Sequence, residues 1–359
     1  MICCTDCFFD VEVKAAIESL GHKGDCPICH SKHTWIYDSE KDFENSSFEE
    51  LLSSIIEIYK AEEELSINVV EEARLPIEEH LVKDWNIFNV DLLGVRTIVE
   101  DIVLKSMTLD KRLLSENCAI NEMYDEGYLF YNSIMGKYSW ENFKLYLRNE
   151  NRFHSRYIQL EVLEEVLKDT ETVLPKGMTF YRARLAKNKD GFKRKELGAP
   201  PKDLATAGRA NSKGVSCLYL ADKRETTVKE IRAGAFDFVT IGKFRLNRDL
   251  KVLDLSSITH NSPFYADTDK VKYLINETHL KNIAEDLSKP MNSNDSDLDY
   301  LPTQYISAFA KYLGYDGVKY MSTFDSTSYN IALFDVEACD CIYHKTYHIG
   351  DLQYKLNAL

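Results

Sequence analysis

The sequence predicts an α+β protein in three parts: a cysteine-rich unit over residues 1–36, a helical region over 37–175, and a mixed α/β domain over 176–359. Three observations carry this reading. Five of the nine cysteines fall within the first 29 residues. Stretches such as FEELLSSIIEIYKAEEEL and VDLLGVRTIVEDIVLKSM then repeat their apolar residues every three or four positions, the period of an amphipathic helix. At Leu174-Pro175-Lys176-Gly177 that period stops, and short runs rich in β-branched and aromatic residues begin.

Within the first part, Cys4-x2-Cys7 and Cys26-x2-Cys29, separated by 18 residues, have the spacing of two knuckles that bring four thiolates to one tetrahedral ion. Gly21, Gly24 and Pro27 supply turns for such short loops. Cys3 is an alternative to Cys4, and His30 or His33 to Cys29. Because a unit this small cannot hold itself by core burial alone, the expected role of the Zn2+ is structural, with no position left open for a reacting water. Cys339 and Cys341 are expected to be strand residues rather than ligands.

In the helical part, Ser46 or Ser47 followed by Glu49 or Glu50 resembles a capping box, and Trp85 and Trp140 are expected core anchors. In the last part the runs MTFYRARL, GVSCLYLA, DFVTIGKFRL, LKVLDLSS, DGVKYM and YNIALFDV are expected strands. KRETTVKEIRA and TQYISAFAKYL are expected helices, the first capped by Asp222 with Glu225 as its partner three residues on. The segment 289–299 is polar and turn-rich and reads as a mobile surface loop.

The net charge of −14 and pI of about 5.2 argue against a general electrostatic attraction to nucleic acid or to anionic membranes. No run approaches the roughly 20 apolar residues that span a bilayer, and the start MICCTDCFFD is not a signal peptide, so the expected location is cytoplasmic. GxGxxG and Walker patterns are both absent, which disfavours dehydrogenases and P-loop NTPases.

The candidate chemistry lies in the last part. A period of two places Phe180, Arg182 and Arg184 on one strand face, an unusual position for two guanidinium groups unless an anion or carboxylates meet them. The stretch ATAGRANSKGVSCLYLADKRETTVKEIRA joins a polar turn bearing Arg209 to a strand with Tyr219 and then to a helix. On that helix Glu230 shares a face with Thr226, Thr227, Ala233 and Gly234. Ser322 and Thr323 close the strand that follows the Asp316-Gly317 turn, and strand ends commonly build sites.

The order FYRAR, GRAN with LYLAD, TTVKEIR, TQYISAFAKYLGYDGVKYMST and YNIALFD resembles the RES domain family over about 178–336. That resemblance implies a fold like that of ADP-ribosyltransferases and action on NAD+ by toxins of toxin–antitoxin systems or related defence proteins. It places the family arginine at Arg182, a second arginine at Arg209, the tyrosine at Tyr219, the glutamate at Glu230 and the serine at Ser322, with Ser307 competing for the last. Arg182, Glu230 and Ser322 are then the expected catalytic residues, and all five residues are expected to bind NAD+. The expected reaction is cleavage of the nicotinamide–ribose bond, as a glycohydrolase or phosphorylase. The front of the chain resembles the cysteine-rich region fused to RES or HEPN domains. The expected partners are NAD+, a protein antitoxin or regulatory partner, and a second copy of the chain.

Three other readings stand beside this one. The same site could transfer ADP-ribose to a protein or RNA. Arg148-Asn149 with His154 could serve a HEPN-like ribonuclease by charge stabilisation and acid–base work. The N-terminal half could be a zinc-dependent sensor or binding module.

Overall fold

The computed structural model describes residues 1–43, 46–256, 258, 262–264, 269–289 and 296–351. Most of the segment read as a mobile loop, 290–295, lies outside the described residues. The chain forms two compact units: Met1–Lys137 with His260–Thr278, and Tyr138–Thr259 with His279–Leu359.

In the first unit, β1 (Ile2–Cys4), β2 (Lys23–Gly24) and β3 (Thr34–Asp38) form an antiparallel sheet in the order β1-β3-β2. Around it lie α1 (Val11–Ser19), α2 (Ser39–Asp42), α3 (Ser47–Ile56), α4 (Ile77–Trp85), α5 (Leu92–Lys105), α6 (Glu126–Asn132) and the short pair β4 (Lys60–Ala61) and β5 (Cys118–Ala119). Asp10 starts α1 by accepting from the backbone N–H groups of Glu12 and Val13, both at 2.9 Å. Ser46 caps α3 through Phe48 N–H, but the reciprocal half of the expected capping box does not form. Glu49 is instead buried, and burial, the largest influence on it, lifts its carboxyl above the ordinary range beside Tyr37. Phe8, Tyr37 and Phe48 interlock in the core, with ring centroids 4.5 and 5.5 Å apart. Trp85 is buried and donates from Nε1 to the Tyr59 hydroxyl at 2.9 Å.

In the second unit, α7 (Trp140–Asn149) and α8 (Leu160–Lys168) precede an eight-stranded sheet. Its strands are β6 (Glu171–Leu174), β7 (Thr179–Ala186), β8 (Leu218–Ala221), β9 (Phe238–Leu246), β10 (Leu250–Asp254), β11 (Gly317–Ser322), β12 (Asp325–Leu333) and β13 (Cys339–His348). They run β13-β9-β7-β8-β12-β11-β10-β6. Every pair is antiparallel except β10–β11, which are joined through the long connection that a parallel pair requires. That connection holds α10 (Lys270–Ser288), whose residues from His279 on belong to this unit, and α11 (Leu301–Tyr312); α9 (Arg224–Glu230) follows β8. All six expected strand runs and both expected helices form, and Cys339 and Cys341 are strand residues. Trp140 is buried and donates to Asp286 at 2.6 Å.

The position of the site follows from one local feature of this sheet. β7 and β8 share a single register pair, Tyr181 with Ala221, whereas β7 pairs with β9 over eight residues. The sheet therefore parts between its two halves, and a cleft opens where the ladder is missing.

Candidate functional site

The cleft has a volume of about 300 Å³, at the small end of ligand pockets, and Arg182, Arg209, Tyr219, Glu230, Tyr320 and Asn330 line it. Arg182 sits on β7 at the parting. Its Nη1 donates to the carbonyl of Leu197 at 2.9 Å and to that of Gly198. Burial, with Arg184 beside it, pushes Arg182 down to about 10, so the guanidinium remains charged at neutral pH while solvated poorly. Arg184 donates to the Glu196 carbonyl and lies 4.1 Å over the Phe192 ring; it does not line the cleft.

Arg209 comes from a loop that is fixed at several points. Tyr219 donates to Asn211 Oδ1 at 2.7 Å and accepts from Ala210 N–H at 2.9 Å. Thr303 donates to the Arg209 carbonyl and Gln304 to the Gly208 carbonyl, at 2.7 and 2.8 Å. The Arg209 side chain donates to the carbonyls of Leu287 and Ser288 at 3.2 and 3.3 Å. No carboxylate among the described residues pairs with Arg182, Arg184 or Arg209. Carbonyls orient these cations without neutralising them, which leaves their charge available to an anionic ligand.

Glu230 is the last residue of α9. A carboxylate there opposes the helix dipole, and two side chains compensate. Ser322, at the end of β11, donates to Glu230 Oε1 at 2.9 Å, and Asn330, on β12, donates to the same oxygen at 2.7 Å. Asn330 and Tyr320 are direct cross-strand partners, so they share one face of the sheet. Ser322 is buried and reaches the cleft only through Glu230. The competing Ser307 lies buried inside α11, and among the described residues its hydroxyl has no hydrogen-bond partner.

Two local expectations are corrected. Asp222 does not cap α9: its carboxylate accepts from the Ser328 hydroxyl and from Tyr329 N–H, and Lys223 is the residue at the cap. The helix also stops at Glu230, because the chain turns at Arg232 with φ of 52°, so Ala233 and Gly234 do not extend its face. Thr226 and Thr227 do point inward. Sequence reasoning missed Asn330 and Tyr320. The usable signal for Asn330 was a lone amide within the otherwise apolar run YNIALF.

Arg148 is paired with Asp299 at 2.8 Å and lines a cavity with Lys144 and Asp286 that His154 does not join, while His154 is exposed on a loop.

The second chemical centre is the cluster of Cys4, Cys7, Cys26 and Cys29, whose sulfurs all lie within 4.8 Å of one another. Neighbouring sulfurs are 3.3, 3.6 and 3.9 Å apart, and none is in a disulfide. Zinc–thiolate bonds of about 2.3 Å in a tetrahedron require sulfurs about 3.8 Å apart, so the donor set and its dimensions fit a metal ion. Gly21 with φ of 77°, His30 with 64° and His33 with 53° make the turns of the ligand loops, and Cys3, His30 and His33 are not in the cluster.

The second unit is thus a mixed sheet that presents to one cleft a clamped carboxylate and arginines without a carboxylate partner among the described residues. The chain belongs to the RES domain family, which it matches over residues 179–357. No curated protein matches it. Among solved structures, a chain of the M. tuberculosis MbcT–MbcA toxin–antitoxin complex is 14% identical, with 52% of this chain and 92% of that chain covered at a TM-score of 0.32. An anti-CRISPR protein is 12% identical, covering 48% of this chain and 100% of that one, at a TM-score of 0.23. Likenesses this low carry no functional argument.

Proposed function

We propose that this protein is a RES-family toxin or defence effector that degrades NAD+ by cleaving the nicotinamide–ribose bond. One observation carries the reading: a carboxylate held by two donors, Glu230, faces the same cleft as two arginines that have no acidic partner among the described residues. In the cleavage, the bond from the ribose anomeric carbon to nicotinamide nitrogen breaks, and its electron pair leaves with nicotinamide, which becomes neutral. The positive charge passes to the ribose as an oxocarbenium ion, which needs anionic support. Glu230 supplies that support. Arg182 and Arg209 hold the pyrophosphate by charge-assisted hydrogen bonds, Tyr219 lies against the nicotinamide end, and Ser322 sets the carboxylate. Water completes a glycohydrolase reaction and gives up a proton; phosphate in its place completes a phosphorylase reaction.

The remaining proposals follow from the same reading. The four cysteines hold a structural Zn2+. No helix among the described residues is long and apolar enough to cross a membrane. We place the enzyme in the cytoplasm, where NAD+ is available, restrained by a protein antitoxin or regulatory partner or by self-association.

Purified protein mixed with NAD+, with and without phosphate, tests the activity. Nicotinamide release that is lost in Glu230→Ala supports it, and the second product identifies the acceptor. Absence of release from the protein freed of any co-purifying partner overturns it.

A further inference from the structure

Glu230 accepts two hydrogen bonds, and both go to Oε1. Among the described residues no donor reaches Oε2. Of the two donors, Asn330 makes the shorter bond, at 2.7 Å, and it alone lines the cleft beside the carboxylate. Asn330 is held rigidly: it pairs across β12 with Ala221 of β8 on one side and with Tyr320 of β11 on the other, and its side chain is 5% exposed. Its amide therefore cannot swing away without disturbing a strand inside the sheet. Glu230, in contrast, stands at the last residue of a short helix, at the end that repels negative charge.

We infer that Asn330 is a positioning residue for the reaction: by binding Oε1 it rotates the Glu230 carboxylate so that the unbonded Oε2 is the oxygen presented to the ribose. Ser322 and Asn330 divide the work. Ser322 belongs to a strand end beside a register shift, between Met321 and Ser322, and secures Oε1 from the rim; Asn330 secures it from the floor. An amide suits the floor because it donates and stays neutral. A cationic donor there would cancel the charge that the oxocarbenium ion requires, and a carboxylate would repel Glu230.

This inference rests on the NAD+-cleaving reading, and the experiment separates the two. Nicotinamide release and thermal unfolding are measured for the full chain, for Asn330→Asp, and for the exchange pair Glu230→Gln with Asn330→Asp. Asn330→Asp removes the donor with almost no change of shape. The expected result is a kcat about 10²-fold lower with KM for NAD+ within about threefold, since a misplaced group costs rate before it costs binding. The exchange pair restores an amide–carboxylate bond with its direction reversed and, because it also removes the Glu230 carboxylate, it reads stability alone: it is expected to recover the unfolding temperature. A merely structural Asn330 would give turnover in Asn330→Asp that falls only as far as its unfolding temperature falls. Should Asn330→Asp fail to fold, Asn330→Ser, too short to span the bond, takes its place under the same criteria. Wild-type release with Asn330→Asp within about twofold of it overturns the inference and leaves the activity standing. A wild-type protein that releases no nicotinamide overturns both.

Discussion

Gly208 is the position at which the geometry of the cleft makes its sharpest demand. A Cβ there would stand 2.6 Å from the Tyr219 hydroxyl oxygen and 2.7 Å from Asn211 Oδ1. The tip of a flexible side chain could yield at little cost, but this half-buried phenol donates to Asn211 at 2.7 Å and accepts from Ala210 N–H at 2.9 Å. Burial also holds Tyr219 well above the ordinary phenol range, the mark of a hydroxyl that depends on these neutral partners. Gly208→Ala must break both bonds or move the loop. Two net hydrogen bonds at about 1 kcal/mol each, plus incomplete resolvation of the groups left behind, put the loss at about 2–4 kcal/mol. For a unit of this size that lowers the unfolding temperature by roughly 5–15 °C. Arg209 is the next residue, and its carbonyl is tied to Thr303, so the guanidinium shifts with the loop. A charge-assisted bond to phosphate is worth about 1.5–3 kcal/mol, which predicts a rise of at least about tenfold in KM for NAD+. Calorimetry and nicotinamide-release kinetics on Gly208→Ala measure the two effects. An unfolding temperature within about 1 °C of wild type, together with an unchanged KM, would show that the loop is not preset by this contact.

Two further predictions concern the metal and the acid response. Protein purified under reducing conditions is expected to carry about one Zn2+ per chain, and a strong chelator or Cys26→Ala is expected to lower the unfolding temperature of the first unit; metal-free protein of unchanged stability would refute the site. Asp325, the first residue of β12 and the register partner of Ser322, is held down to about 2 by the Thr327 N–H and hydroxyl, with Lys223 adding. A depressed carboxylate contributes above its unfolded value of about 3.9 and loses that contribution as pH falls toward its folded value. Asp325→Asn should therefore be less stable than wild type at neutral pH, and urea midpoints should show the gap narrowing below about pH 4; a gap independent of pH would contradict the assignment.

Strands were readable wherever burial imposed a pattern. TFYRARL and NIALF carry apolar residues because both halves of the sheet pack against a core, and the cysteine knuckles were readable because metal geometry constrains spacing directly. α10 was not read as an element, and of β13 only the strand character of Cys339 and Cys341 was read, for different reasons. The apolar residues of α10, Val271, Leu274, Ile275, Leu280, Ile283 and Leu287, are spread among charges over 19 residues and give no clean stripe. β13 is an edge strand, CDCIYHKTYH, whose polar residues meet solvent and need no alternation. At the site, Arg182, Arg209, Tyr219 and Glu230 all line one cleft, but Asn330 escaped notice. Its role comes from register, which places it opposite Tyr320 and near the end of a helix about a hundred positions earlier, and single-sequence patterning does not encode register across that distance.

The electrostatic layout shows how the proposed site can hold its cations without neutralising them. An arginine answered by a carboxylate would be comfortable but neutral, and an incoming phosphate would have to displace a charged partner. Carbonyl acceptors avoid this: Leu197 and Gly198 fix Arg182, and Leu287 and Ser288 fix Arg209, while the net charge remains. The cost appears at Arg182 as a guanidinium pushed down to about 10 by burial and by Arg184. An anion entering the cleft relieves that cost, so part of the binding energy comes from strain already present in the fold rather than from new contacts. Glu230 follows the complementary rule. Neutral donors, Ser322 and Asn330, hold it against the unfavourable end of α9 without removing its charge, so on the proposed reaction the carboxylate keeps its full effect for the cation that forms there.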